Sequence, residues 1–191
     1  MEKELKINVE NVLSEYTNAD ENGKKLLENL FGKDVFVPKN VMDRVKTFED
    51  ACRELGKNHP LVKSYEALCS VDTDSNLETY AKLRIIVAAL NEGWEPMFTT
   101  NEWRYYPWFY IYTQEEIEKM DEDEKKELCL WGGSAGHGTR CGLGFSHSGN
   151  AFSNSSSCVG ARLALKNREM AIYCGRQFIE LWADFCFIRK S

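Results

Sequence analysis

The chain has 191 residues and lacks any run of about 18 apolar residues, so it offers no candidate for a membrane-spanning helix. Its N-terminus, MEKELKINVENVLSEY, is charged throughout and has no apolar segment typical of a signal peptide. Its seven cysteines are an odd number at irregular spacing, which does not indicate a disulfide framework. These absences predict a cytoplasmic protein with free thiols and no membrane partner.

The chain also has no excess of basic residues. The chain has 24 Lys and Arg against 30 Asp and Glu, a net charge of −6, and no basic stripe, which argues against nucleic acid as its main partner. The balance is uneven, because residues 1–130 carry 17 cations against 27 anions whereas residues 131–191 carry 7 against 3. An anionic ligand would be repelled less by the second part, although ordinary scatter and an acidic surface helix explain the same numbers.

The fingerprints of common enzymes are absent. There is no GxxxxGK[ST] motif, and GLGFSHSG is not followed directly by a helix as a dinucleotide-binding motif would be. Residues 132–136 match G-x-S-x-G, but the following HGTRCGLGFS cannot form the helix that a nucleophile elbow requires. We therefore expect no catalytic residues and no cofactor. The alternative is a small nucleotide-processing enzyme in which His137 or His147 is the acid–base group.

A metal site would have to recruit residues at unfavourable spacings. Structural zinc ligands usually come in two pairs two to four residues apart, and only His137 and Cys141 approach that interval. The other candidates are Cys129, His147 and Cys158. We expect no metal, since small buried cysteines and polar loop histidines explain the same residues.

Helix signals divide the chain into an N-terminal helical appendage with a connector, residues 1–45, and one α+β domain, residues 46–191. Asp20 is placed to cap a short helix that Gly32 closes. Thr47, with Asp50 at the third position, approximates a capping box, and Gly56 supplies the stop.

The remaining patterns predict how that domain is built. NLETYAKLRIIVAALNEG is a central helix, and EWRYYPWFYIYT is an aromatic strand that Pro107 places at a sheet edge or beside a bulge. CVGARLALK alternates as a half-buried strand, and Asn167 caps one long C-terminal helix. We predict an α+β fold in which a small antiparallel sheet with loop-rich strands packs against the central and C-terminal helices.

The glycine-rich stretch between Leu130 and Lys166 is the main candidate site. It holds eight of the thirteen glycines and two of the three histidines. Glycine and serine loops can direct backbone N–H and hydroxyl donors into an anion-binding concavity, and nearby cations add charge-assisted hydrogen bonds. The predicted ligand residues here are Arg140, His147, Ser148, Asn150, Arg162 and Lys166. The alternative is that the glycines only permit turns and bulges.

The aromatic strand adds Trp103, Tyr106 and Trp108 to the candidate site. Its rings interleave with Arg104 and offer stacking surfaces to a planar ligand or an aromatic partner. The alternative is that one parity of the strand is core and the other covers a helix.

Four ordered motifs carry a family resemblance: VKTFEDACRELG, YAKLRIIVAALNEGWEP, YYPWFYI and GARLALKNREMAIYCGRQFIELWADF. On these motifs, over roughly residues 35–188, the chain resembles a family of uncharacterised proteins of Bacteroidales genomes, their prophages and gut phages. The resemblance implies a phage or prophage origin in an anaerobic bacterium. It carries over no catalytic residue.

Taken together, these features favour a non-catalytic binding protein of phage origin that acts in the cytoplasm of the bacterial host. Its target would be a host protein or a small anionic ligand such as a signalling nucleotide, captured to counter a host process or defence. The alternative is a virion or assembly component that displays the Gly/Ser-rich loop for host recognition. An aromatic edge strand also invites pairing between chains, so a homo-oligomer is an open alternative.

Overall fold

The computed structural model describes residues 6–71, 75–134, 140–152 and 161–187, with only the backbone described at Gly133, Ser134, Arg140 and Ala161. It divides the chain into two compact units, Met1–Asn40 and Val41–Ser191. The boundary therefore falls at Asn40 rather than at residue 45.

The first unit is a small helical assembly. Helices α1 (Val9–Asn18) and α2 (Glu21–Phe31) are followed by a 3-10 turn, Lys33–Phe36. The carboxylate of Asp20 accepts the N–H of Gly23 at 2.8 Å, and Gly32 ends α2 with a φ of 85°, as the sequence predicts. The rings of Tyr16 and Phe36 stack with centroids 4.0 Å apart, which ties the 3-10 turn to α1.

The second unit begins with four helices, α3 (Val41–Arg44), α4 (Phe48–Leu55), α5 (Pro60–Cys69) and α6 (Ser75–Asn91). Val41 and Val45 are buried in its core, which is why residues 41–45 belong here and not to the appendage. Thr47 and Asp50 form the predicted reciprocal capping box, and Gly56, with a φ of 82°, ends α4. Helix α6 is the central element, with a run of fully buried residues from Ile85 to Val87.

Three antiparallel strands form one sheet in the order β1–β3–β2. They are β1 (Trp103–Thr113), β2 (Trp131–Ser134) and β3 (Arg140–Phe152), and the short acidic helices α7 (Gln114–Lys119) and α8 (Glu122–Glu127) connect β1 to β2. Strand β1 lies at the edge, as Pro107 predicts. A bulge is present as well, because the register passes from Trp108–His147 to Phe109–Phe145 and leaves Ser146 as the extra residue.

The two faces of the sheet have different roles. On the core face Phe109 and Phe145 meet edge to face, and Phe109 also contacts the ring of Trp182. The other parity of β1 forms the outer face, where Trp108 and Tyr110 are 40% and 52% exposed. Pro107 and Phe109 on one parity therefore pack towards the core, although Arg104 on the other parity is buried and Ile111 is exposed. The fold is α+β, as predicted.

Two predicted elements are wrong in detail. Residues 161–166 do not continue a half-buried strand: Ala161–Leu163 is a 3-10 turn, and Leu165 makes a single bridge to Tyr105. The amide of Asn91 takes the place of a strand ladder here, since it donates to the carbonyl of Ala164 at 2.8 Å and accepts the N–H of Lys166 at 3.1 Å. Residues 153–160 lie outside the described residues.

The C-terminal helix is two helices, α9 (Arg168–Gln177) and α10 (Ile179–Cys186). Asn167 caps α9 as predicted, but Phe178 leaves the helical region at φ −114° and ψ 31°. Its buried ring packs edge to face on Tyr173. This break turns α10 so that Trp182 reaches the core face of the sheet. None of the described helices is both long and apolar enough to cross a membrane.

Candidate functional site

The predicted site residues fall in separate places. Trp103, Tyr106, Trp108, His147, Ser148 and Asn150 lie on the sheet, whereas Arg162 and Lys166 follow it in the segment that Asn91 anchors. The side chain of Arg140 lies outside the described residues, although its backbone pairs with Ser134. The structure therefore divides the predicted site instead of gathering it.

The glycine-rich segment from residue 140 to 152 is a strand, not an open loop. Gly142, Gly144 and Gly149 stand in the β1–β3 ladder opposite Tyr112, Tyr110 and Tyr106. A Cβ at Gly149 would lie 2.5 Å from a ring carbon of Tyr106, and one at Gly144 would lie 2.7 Å from a ring carbon of Tyr112. Gly144 and Gly149 thus let aromatic rings lie flat on the sheet, whereas Gly142 makes room for Ile117 and Leu130. The prediction of an open loop is wrong for this stretch, whose glycines serve the strand as the alternative held, and the remaining parts, 135–139 and 153–160, lie outside the described residues.

The outer face of the sheet brings together three of the predicted residues. The ring of Trp108 stacks on His147 with centroids 6.0 Å apart and lies 6.4 Å from that of Tyr106. The Nδ1 atom of His147 and Oγ of Ser146 share a hydrogen bond of 2.9 Å. We call the surface formed by Tyr106, Trp108, Tyr110 and His147 the aromatic face. It is a stacking surface, and Arg104, which has the same parity along β1, is buried with only 2% of its surface exposed.

Three further residues of the predicted site do not join this surface. Ser148 and Asn150 pair with Pro107 and Tyr105, and cross-strand partners share a face, so both take the core-side parity. Trp103 packs on Phe152 with centroids 4.1 Å apart at the end of the sheet.

Lys166 is engaged in an ion-pair network. Its ammonium lies 2.7 Å from a carboxylate oxygen of Glu92, whose other oxygen lies 2.9 Å from Arg44. Arg44 also contacts Glu54 at 2.7 Å. A hydrogen bond from Lys166, and a second one from Arg44 with a smaller effect, lower the pKa of Glu92. Lys166 is thus neutralised by a structural carboxylate and does not point to a ligand site.

Arg162 lines a cleft of about 390 Å³ that the sequence did not reveal. Its charged lining residues are Arg84, Glu95 and Arg162, and its aromatic ones are Trp94 and Phe98. The rest of the lining is Leu61, Val87, Ala88, Asn91, Pro96 and Ala164. We call this the arginine cleft.

Helix α6 supplies one wall of the arginine cleft. Arg84, Val87, Ala88 and Asn91 have the spacing i, i+3, i+4 and i+7, so they lie on one helical face. Gly93, with a φ of 85°, then turns the chain so that residues 94–98 can form a second wall.

The opposite wall depends on a long-range contact. The buried amide of Asn91 holds the carbonyl of Ala164, and Arg162 lies two residues before that anchor. Arg84 and Arg162 come from distant parts of the chain and line the same cleft because of this contact. Sequence patterns place Arg84 correctly on the central helix but place Arg162 on a strand instead of a 3-10 turn, and they cannot show that the two residues share a cleft.

The electrostatics of the cleft favour an anion. Within the described ranges, no salt bridge includes Arg84 or Arg162. Guanidinium groups offer forked donors that match carboxylate and phosphate oxygens. Half-buried Trp94 and exposed Phe98 add aromatic surface to the same cleft. The single carboxylate, Glu95, offers an acceptor for an N–H group of a ligand.

A second depression, of about 530 Å³, is less suited to an anion. Its lining includes Met42, Ile172 and Tyr173 together with one arginine, Arg176. That guanidinium lies over the ring of Phe145 at 5.2 Å and is already in contact with the sheet.

The residues considered for metal binding are not gathered. Cys141 is buried in the core, whereas His147 is exposed on the aromatic face, and His137 and Cys158 lie outside the described residues. Among the described residues, no group of three or more His, Cys, Asp or Glu side chains is placed to hold a metal ion. Burial raises the pKa of the Cys174 thiol to about 12, which makes this cysteine a core residue without thiolate character.

Fold and site together define an α+β protein with a cleft that carries two arginines and two aromatic residues. Comparisons of the chain with known protein families, with curated proteins and with solved structures each returned no match.

Proposed function

We propose that the protein is a non-catalytic binding protein that holds a small anionic ligand in the arginine cleft. The observation that carries this proposal is the presence of Arg84 and Arg162, from distant segments, in the lining of one cleft without a carboxylate partner among the described salt bridges. Bringing two cations together is unfavourable in itself, and a bound anion relieves that cost.

The ligand class follows from the rest of the lining. A cavity of about 390 Å³ fits a compact organic ligand, since binding clefts typically measure about 300–1,000 Å³. Trp94 and Phe98 favour a planar group, and the arginines favour phosphate or carboxylate. A signalling nucleotide combines both features, and we take it as the leading candidate.

The lining supports binding rather than catalysis. Its charged residues are two arginines, which are permanent cations in proteins, and one glutamate. The enzyme alternative depended on His137 or His147. His147 does not line the cleft, and His137 lies outside the described residues.

The family resemblance supplies the setting. In this proposal the protein is of phage origin and acts in the cytoplasm of a bacterial host. Capture of a small anion there would withdraw it from a host process or defence.

Isothermal titration calorimetry with nucleoside mono-, di- and triphosphates and cyclic dinucleotides tests the proposal. We expect at least one of them to bind. Arg84→Gln or Arg162→Gln should each weaken it about tenfold or more, because a hydrogen bond to a charged group contributes about 1.5–3 kcal/mol. Arg168→Gln is the matched control, since Arg168 is exposed and does not line the cleft. Two outcomes would refute the proposal. One is that no ligand of the panel binds, and the other is that binding is unaffected when Arg84→Gln and Arg162→Gln are combined.

The aromatic face supports a second candidate, the recognition of a protein by surface contacts. Trp108 and Tyr110 are exposed there, and such residues often anchor interfaces. The target would be a host protein, or the face would serve in a virion or assembly component. Detection of the protein in purified particles would favour the virion role. Pull-downs from host lysate with the wild type and with Trp108→Ala test the host role, since a specific target must be lost in the variant.

A further inference from the structure

The edge strand β1 has main-chain groups that point away from the sheet in a defined pattern. Tyr105 donates to and accepts from Leu165, at 2.9 and 2.8 Å, on the side opposite β3. Because the direction alternates along a strand, residues 107, 109, 111 and 113 point outward as well. An independent contact supports this direction, because the N–H of Phe145 donates to the carbonyl of Leu128 at 2.7 Å, on the side away from β1. Phe145 and its cross-strand partner Phe109 therefore share no backbone hydrogen bond, and the N–H of Phe109 points outward.

At both ends of this segment of β1 no outward N–H is available for pairing, whereas between the ends the outward N–H groups are available. Pro107 has no N–H, and the N–H of Thr113 donates to the carboxylate of Glu116 at 2.7 Å. Phe109 and Ile111 lie between these ends, and within the described residues neither makes a further backbone hydrogen bond on that side. The open window is therefore two residues wide and centred on Tyr110.

This window is complementary to itself. We propose that two copies of the chain pair antiparallel through β1, with Phe109 opposite the partner's Ile111 and Tyr110 on the two-fold axis. Each Phe109–Ile111 pair exchanges two N–H···O bonds, so four bonds join the strands. Pro107 then lies opposite the partner's Thr113, where neither residue has an N–H to contribute.

Charge and exposure also favour a second copy over an unrelated strand. A symmetric pair places identical segments side by side, and residues 105–113 contain no charged side chain that would face its own copy. Tyr110 and Ile111 are 52% and 55% exposed, so pairing buries surface that the single chain leaves in water. Natural edge strands usually carry charges against such pairing, and β1 between Tyr105 and Thr113 has only Pro107 as a barrier. This inference is independent of any ligand in the arginine cleft.

The oligomeric state of the full chain gives the first test. We expect light scattering and sedimentation to detect a concentration-dependent dimer. Ile111→Pro should give a monomer, since it removes an outward N–H while leaving the β1–β3 ladder intact. Ile111→Val keeps that N–H and should remain dimeric. Circular dichroism verifies that each variant is folded. A monomeric wild type would overturn the proposal, and the edge of β1 would then be available for a strand of another protein. A folded Ile111→Pro variant that still dimerises would overturn it as well.

Cross-linking tests the register without relying on that variant. In the proposed pair the two Tyr110 Cα atoms lie about 4.5 Å apart, within the range of a disulfide, whereas the two Tyr112 Cα atoms lie roughly 14 Å apart. We expect Tyr110→Cys to form a covalent dimer on mild oxidation and Tyr112→Cys to form none. Both changes are made with the exposed Cys69 and Cys186 replaced by Ser. Equal cross-linking of the two variants, or of neither, would overturn the register.

Discussion

Single residues with two roles explain much of how this chain folds, and Asn91 is the clearest example. Its side chain is 5% exposed, and both ends of its amide are used, by the carbonyl of Ala164 and the N–H of Lys166. A buried amide is costly unless both its donors and its acceptor find partners. Asn91 therefore fixes the segment that carries Arg162 to the helix that carries Arg84.

We expect Asn91→Leu to lower the free energy of unfolding by about 2–3 kcal/mol, because the buried carbonyl of Ala164 and the partly buried N–H of Lys166 lose their partner. Urea denaturation monitored by circular dichroism measures this change. Asn58→Leu, at an exposed position, is the control and should change the free energy by less than about 0.5 kcal/mol. Equal effects of the two substitutions would show that Asn91 does not anchor the segment.

At the level of elements, the sequence predicts what neighbouring residues determine. Asp20, Thr47 and Asn167 all cap helices as expected, because a cap depends on residues two or three positions away. The turn at 161–166 and the break at Phe178 were missed, since contacts with Asn91 and Tyr173 decide them. The arginine cleft could not be predicted for the same reason, since it depends on contacts between distant residues. The aromatic strand and its edge position could be predicted, because the aromatic residues and Pro107 lie within β1 itself.

The packing of α9 on the sheet depends on Gly175. A Cβ there would lie 2.7 Å from ring carbons of buried Phe145 and from Cβ of Pro107. Alanine favours a helix over glycine by about 1 kcal/mol, but this overpacking costs about 1–3 kcal/mol, and the rigid Pro107 cannot move aside. We expect Gly175→Ala to lower the thermal midpoint. Gly132→Ala, where nothing lies within 4 Å, serves as the control and should leave it nearly unchanged.

The ion-pair network around Glu92 predicts a pH dependence. Lys166 and Arg44 hold the pKa of Glu92 below its ordinary value, so its protonated form is disfavoured in the folded protein. The stabilisation is fully present above the unfolded pKa of about 4.3 and is lost as the pH falls through the lowered folded value. In Glu92→Gln, unfolding at pH 7 should be easier than in the wild type, and this difference should shrink with acidification through that window. A difference that is constant with pH would contradict the role of the carboxylate.

On the scale of the whole molecule, folding places residues from the acidic part and from the more basic part of the sequence in one cleft. The net charge of −6 repels an anion at long range, but Arg84 from the acidic part and Arg162 from the more basic part attract it inside the cleft. Charges separated by more than about 8 Å are largely screened at physiological ionic strength. If the proposed anion binds there, we expect attraction within the cleft to outweigh the repulsion from the distant acidic surface.

This balance makes the affinity for an anion dependent on salt. We expect the dissociation constant to rise with added sodium chloride, because the counter-ions screen the contacts to both guanidinium groups and compete for them. The rise should become smaller in Arg84→Gln and smaller again when Arg162→Gln is added, while Arg168→Gln should follow the wild type. Calorimetric titrations at several salt concentrations measure the slope. A slope that is identical in all four proteins would place the anion outside the arginine cleft, since the two guanidinium groups would then contribute no charge to its binding.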